Sequence, residues 1–109
     1  MTDLADRTLV QRQPVLNEAE IHRQLAALPD WSLVTQAEVP RIKRAYSFPD
    51  FAKALTFVNQ VGALAEQQNH HPALLLEWGK VTVSWWNHDA GGVHLNDLIM
   101  AARTERLYQ

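Results

Sequence analysis

The chain has 109 residues, 47% of them apolar, with 10 Lys+Arg against 12 Asp+Glu and no cysteine. This composition predicts one packed globular domain and excludes a disulfide scaffold, a thiolate nucleophile and a Cys-ligated zinc. A net charge of −2 without a basic block argues against a phosphate-neutralising nucleic-acid face.

No apolar run approaches the ~18 residues a membrane span needs. The first residues are polar, carry Asp3, Asp6, Arg7 and Arg12, and lack the apolar stretch of a secretory leader. A cytoplasmic protein with no membrane partner is expected. Residues 1–15 show no period and read as a flexible lead-in to a single domain over 16–109.

Asn17 opens the first helix signal, with Glu20 three residues later in a capping-box arrangement. Ile21, Leu25 and Leu28 then share one face, and Pro29-Asp30 stops the helix. Trp31 to Val34 is short and apolar, as a strand is. Val39 to Phe48 predicts a second strand with Ile42, Tyr46 and Phe48 on one side. Pro40 within it suggests an edge position, because its missing N–H breaks a ladder.

Ser47-x-x-Asp50 looks like a second capping box, so another helix is expected from about Pro49. Phe51, Leu55, Val58, Val61 and Ala65 make its apolar stripe. Pro72 ends it. Ala73 to Glu77 and Lys80 to Asn87 flank Trp78-Gly79 as a hairpin, with a positive φ expected at Gly79. Val81, Val83 and Trp85 alternate with Thr82, Ser84, Trp86 and His88. A last helix is expected from about Asn96 to Leu107, with Leu95, Leu98, Ile99 and Ala102 inward. The order α-β-β-α-β-β-α predicts an α+β fold, a four-stranded antiparallel sheet with three helices packed on one face.

Four of the five histidines, His70, His71, His88 and His94, fall in the last third. His22 reads as a surface helix residue. If the second helix reaches His70, Glu66 stands one turn before it and can orient its ring. Pro72 then restricts the chain just after His70-His71. His88 closes a strand before Gly91-Gly92, a common position for a catalytic group. Three imidazoles can in principle hold zinc. The spacing is not H-x-x-x-H, however, and adjacent His70 and His71 do not readily face one ion, so no metal is expected.

Glu66-x3-His70-His71-Pro72-x5-Trp78-x9-His88-x8-Asp97 resembles the signature of the pterin-4a-carbinolamine dehydratase family. Phe48-Pro49-Asp50-Phe51, Phe57-Val58, Val81-Thr82-Val83 and Gly91-Gly92 extend the likeness over Leu16 to Leu107. The resemblance implies catalysis by His70, His71 and His88. It implies a pterin site lined by Asn69, His70, His71, Trp86, Asn87, His88 and Asp89, with Glu66, Pro72 and Asp97 in support. The implied reaction removes water from a 4a-hydroxy-tetrahydropterin, with His70 and His88 as the principal proton-transferring pair and His71 binding the ring. The pterin is the substrate, and no further cofactor is implied. A homodimer or homotetramer is implied as well.

Three departures stand out. Asn87 replaces a common Thr, His94 replaces a capping Ser or Thr, and Asn96 replaces an Arg seen in some members. Other readings on the same fold are a non-catalytic binding or assembly protein, a transcriptional cofactor, and a dehydratase of another pterin.

Overall fold

The computed structural model describes residues 3–10 and 14–108. Alternation sets its sheet. Val81, Val83 and Trp85 have no exposed surface, and they lie on β4 (Lys80–Trp85). β4 pairs on one side with β2 (Val39–Ser47) and on the other with β3 (Ala73–Glu77). β1 (Ser32–Gln36) pairs with β2, giving the antiparallel order β1-β2-β4-β3. The helices α1 (Glu18–Leu25), α2 (Phe51–Gln68) and α3 (Leu95–Tyr108) cover one face. The element order, the four antiparallel strands and the three helices are as the sequence predicts.

Local signals explain several boundaries. The Asn17 side chain accepts from the Glu20 N–H at 2.9 Å, and the Glu20 carboxylate accepts from the Asn17 N–H at 3.3 Å. That closes the capping box at the start of α1. At α2 the expected box is not formed. Asp50 itself is the cap, accepting from the Lys53 N–H at 2.8 Å, and Ser47 ends β2.

The apolar stripe of α2 holds at Val58, Val61 and Ala65 but differs from expectation in the first turns. Ala54, Phe57, Val61 and Ala65 are buried, whereas Phe51 and Leu55 are about two-fifths exposed. The helix has apolar residues on two adjacent faces. The sheet takes the face that puts Phe57 against Tyr46 and Phe48, with ring centroids 4.8 and 5.1 Å apart.

Two turn expectations are corrected. β2 is an interior strand, so Pro40 is not on an edge strand. Its neighbour β4 pairs only from Ile42, so no ladder partner waits for the missing N–H on that side. Gly79 does not adopt a positive φ. Glycine is needed there because a Cβ would lie 2.9 Å from the Phe48 carbonyl oxygen. The left-handed pair is Ala37-Glu38, at φ 51° and 65°, closing the β1–β2 hairpin without glycine.

The lead-in is not loose over its described part. Leu4–Asp6 forms a 3-10 turn against α3. Arg103 donates to the carbonyls of Ala5 and Arg7 at 3.0 and 2.7 Å, and Asn96 exchanges two hydrogen bonds with the Val10 backbone. The remaining lead-in positions 1, 2 and 11–13 lie outside the described residues.

The end of α3 is tied to the sheet by Glu105. One carboxylate oxygen accepts from Trp31 Nε1 at 2.7 Å, from Tyr46 Oη at 2.8 Å and from Arg44. Burial by itself would raise the Glu105 pKa, but the hydrogen bonds from Arg44, Tyr46 and Trp31 outweigh it and hold the group below its ordinary value. Burial and the neighbouring carboxylate push the Tyr46 phenol upward, so it stays a donor. A depressed folded pKa contributes stability that is fully present above the ordinary value of 4.5 and is lost as pH falls through the folded value. Glu105→Gln should therefore lower stability at pH 7 by about 1–3 kcal/mol, and the gap from the parent should narrow below about pH 4. Urea midpoints measured from pH 7 to pH 3 check both statements.

Candidate active site

α2 stops before the histidines because Asn69 takes a left-handed conformation, φ 51° and ψ 43°. Asparagine tolerates this region better than most residues. The Asn69 N–H reaches the Glu66 carbonyl at 3.3 Å, and the His70 N–H reaches the Ala65 carbonyl at 3.1 Å. These two bonds are a Schellman closure of the helix. The chain then turns back, so His70 does not continue the helical face of Glu66.

This corrects the expected pairing. Glu66 contacts His71, with Nε2 2.8 Å from the carboxylate, and both side chains are at least half exposed. His70 turns inward instead. Its side chain is 15% exposed, and Nε2 lies 2.5 Å from Asp97 Oδ1. Its ring stacks on Trp85 with centroids 5.7 Å apart and 9° between planes. A carboxylate only accepts, so the His70 proton sits on Nε2 and Nδ1 is left as the free nitrogen.

Asp97 has no exposed surface. Its second oxygen accepts from the His94 N–H at 2.9 Å. His94 ends the preceding loop, and its Nδ1 accepts from the Asn96 N–H at 3.2 Å. The imidazole thus caps α3 in place of a hydroxyl, and Asp97 completes the reciprocal half. The His94 departure from the family pattern keeps the capping function. A negative group in the first turn of a helix is also favoured by the helix dipole.

His88 enters from the loop after β4. Asn87 shapes that loop: its side chain accepts from the Ala90 N–H at 2.8 Å, and its backbone bridges to Gly92. Gly91 takes φ 72°, and a Cβ on Gly92 would lie 2.6 Å from a Val15 methyl. His88 Nε2 donates to the His71 carbonyl at 3.0 Å, so its Nδ1 is the free nitrogen. Behind it stands Trp86, stacked at 4.3 Å.

Asn69, His70, His71, Asn87, His88 and Asp89 together line one hollow of about 240 Å³. Six of the residues expected at the site therefore meet. Trp86 does not line the hollow but supports His88. Glu66 lies outside it against His71, Pro72 leads out into β3, and Asp97 sits beneath His70. Among the described residues, no group of three acidic, histidine or cysteine side chains is placed to hold a metal. A larger hollow of about 340 Å³, lined by residues that include Asp30, Glu105 and Arg106, contains no histidine. The partners that sequence reasoning missed are Trp85 and the direct link from His70 to Asp97. Only the i, i+27 contact reveals the link, and helical spacing gives no signal of it.

Residues 14–107 match the family model described as pterin 4 alpha carbinolamine dehydratase, and the chain belongs to that family. It is 56% identical over 94 residues to a protein of Chlorobaculum tepidum named "Putative pterin-4-alpha-carbinolamine dehydratase", covering 86% of this chain and 84% of that one. A Microcystis aeruginosa protein of the same name is 50% identical over 113 residues, covering 100% of this chain and 97% of its own. Among solved structures, one described as a transcriptional coactivator/pterin dehydratase from Brucella melitensis superposes with a TM-score of 0.78 at 29% identity, covering 87% of this chain and 99% of that chain. A pterin dehydratase-like protein described as a RuBisCO assembly factor in the alpha-carboxysome shares the fold, with a TM-score of 0.60 at 20% identity over 72% of this chain and 89% of that chain.

The two carboxylates should behave differently on mutation. Asp97→Asn keeps the shape but lets an amide N–H face the ring, which disfavours the present tautomer of His70. Dehydration of a 4a-hydroxy-tetrahydropterin should fall by about tenfold or more. Glu66→Gln alters only an exposed pair, and stability should change by no more than about 1 kcal/mol. Its rate should stay within about twofold of the parent. Parallel rate assays and thermal melts of the two variants check the contrast, and equal losses would contradict it.

Proposed function

We propose that this protein converts a 4a-hydroxy-tetrahydropterin to quinonoid dihydropterin and water, recycling the pterin cofactor of aromatic amino-acid hydroxylases in the cytoplasm. The observation that carries this reading is the meeting of His70, His71 and His88 around one hollow, with His70 backed by buried Asp97. Membership of the family supports it.

The chemistry is two proton transfers. The C4a–O bond breaks, and the oxygen takes a proton and leaves as water. The N5 lone pair forms the C=N bond as N5 loses its proton. No net oxidation occurs, so acid–base groups suffice. His70 is oriented to take the N5 proton through its free Nδ1, with Asp97 holding the tautomer. His88 acts in its imidazolium form: Nε2–H stays on the His71 carbonyl and the Nδ1 proton goes to the departing hydroxyl, while His71 binds and polarises the ring. Imidazole suits both tasks near neutral pH.

His70→Ala and His88→Ala should each reduce the enzymatic rate about tenfold or more, since a positioned proton-transfer group contributes about 10²–10⁴. The double variant should lose much less than the product of the single losses, because groups acting as a unit are not additive. Stopped-flow measurement on synthetic 4a-hydroxy-tetrahydropterin, with and without EDTA, is the direct test. Folded single variants with full activity would remove the histidine mechanism. Loss of parent activity in EDTA with restoration by zinc would replace it with a metal-assisted one.

We also propose that the chain pairs through β3, an edge strand on which Leu75 is 57% exposed. An unpaired edge of this kind is usually covered or blunted. Light scattering at micromolar concentration should give a homodimer, or a homotetramer made of two dimers. Leu75→Lys should shift it toward monomer, and a parent monomer would refute the pairing. Protein binding on the same fold is the second reading, favoured by the coactivator description of the Brucella melitensis structure. Full rate loss in the histidine variants would place catalysis first.

A further inference from the structure

The sheet face opposite the helices carries a buried cation without a counter-ion. Arg41 of β2 is 9% exposed, and its Nε is buried with no hydrogen-bond partner. Its one hydrogen bond runs from Nη2 to the Gln36 carbonyl at 3.5 Å, the outer limit of such a contact. Among the described residues, none of the ion pairs includes Arg41. The guanidinium lies 3.8 Å from the centre of the Trp86 ring. A cation over an indole gains some stabilisation, but it keeps its demand for acceptors. Buried polar groups are normally satisfied, and an exception calls for a reason.

The surroundings suggest the missing acceptor. Arg41 lines a hollow of about 150 Å³ with Gln36, Lys43, Thr82, Ser84 and residues 73–75 of the edge strand β3, among them Leu75. Beside the apolar β3 residues, the lining holds two cationic residues, two hydroxyl residues and Gln36, and no carboxylate. This is the donor set of an anion site. The hollow lies next to the histidine pocket. Trp86 touches Arg41 and also stacks on His88, and Ala73 follows His71 by two residues.

We propose that this hollow is a subsite for an anionic group, a phosphate ester or a carboxylate, at the end of the pterin side chain, with Arg41 as the specificity-determining residue. The inference rests on the dehydratase reading of the histidine pocket. In a tetrahydropterin the side chain leaves from C6, which is bonded to N5, one atom from the reacting C4a. A ring held for proton transfer at N5 and C4a therefore starts its side chain beside the histidines. A chain a few atoms long then passes the Trp86 indole and ends at Arg41. The anion supplies the acceptors that Arg41 lacks, and Thr82 and Ser84 supply hydroxyl donors.

The experiment uses three synthetic 4a-hydroxy-tetrahydropterins: a neutral polyol side chain, its terminal phosphate ester, and the corresponding carboxylate. The parent protein should show a KM about tenfold or more lower for an anionic substrate, as one charge-assisted hydrogen bond supplies. kcat should hardly change, because the gain is equal in ground and transition states. Arg41→Gln should abolish the preference while keeping turnover of the neutral substrate, and Arg41→Lys should keep part of it. A preference for phosphate alone identifies an ester site, and equal preference for both identifies a general anion site. Equal KM for all three in the parent protein overturns the proposal. Absence of turnover on every substrate would instead remove the dehydratase reading. Titration with inorganic phosphate, followed at the Arg41 Nε–H resonance, then decides the anion site by itself: a saturable shift supports it, and no shift refutes it.

Discussion

The buried carboxylate of Asp97 is the constraint around which the site is organised. A charge without exposed surface persists only where its partners are well placed. Asp97 has the His70 ring on one oxygen and the His94 N–H on the other, and it stands in the first turn of α3. The same group therefore starts a helix and orients a candidate catalytic imidazole. Any shift of α3 along its axis moves His70 as well. The flat stacking of His70 on Trp85 resists the remaining rotation of the ring.

The other end of α3 is held in a similar way. Glu105 gathers donors from Trp31, Arg44 and Tyr46, which come from the start of β1 and from β2. Between the two carboxylates, Leu98, Ile99, Met100 and Ala101 have no exposed surface, and Trp85 Nε1 donates to Thr104 at 3.2 Å. A helix buried on the sheet side and covered by the Leu4–Asp6 turn on another has little freedom to slide. Its charged ends give direction to a contact that apolar packing leaves unspecific, since hydrophobic burial is not directional.

Much of this was legible in the sequence where local rules decide. The strand alternation of Val81, Val83 and Trp85 and the Asn17 capping box depend on neighbours two or three residues away, and both appear as expected. The face of α2 was legible in its second half, where Val61 and Ala65 are buried as expected, but not in its first turns, where Phe51-Leu55 and Ala54-Phe57 are both apolar and only the sheet selects between them. The pairing of Glu66 failed for a different reason. Helical spacing held only while the helix held, and one left-handed residue, Asn69, sent the next imidazole to a partner 27 positions away. That His70, His71 and His88 meet around one hollow agrees with the histidine pattern. The partner of each ring was not legible, since it depends on the tertiary meeting of α2, the loop after β4 and α3.

The loop after β4 shows how local geometry and distant packing combine. Asn87 folds the loop through its own side chain and backbone, and Gly91 supplies the left-handed step. Gly92 admits Val15 at a distance that no Cβ would allow, while the Leu16 N–H reaches the Val93 carbonyl at 2.8 Å. The segment before α1 thus braces the loop that carries His88. From the other side Trp86 supports the ring. His70 is fixed by a carboxylate and an indole, whereas His88 is fixed by a carbonyl and an indole. The two rings are therefore held in different electrostatic company. Titratable groups whose environments differ in this way are able to take different roles in proton transfer.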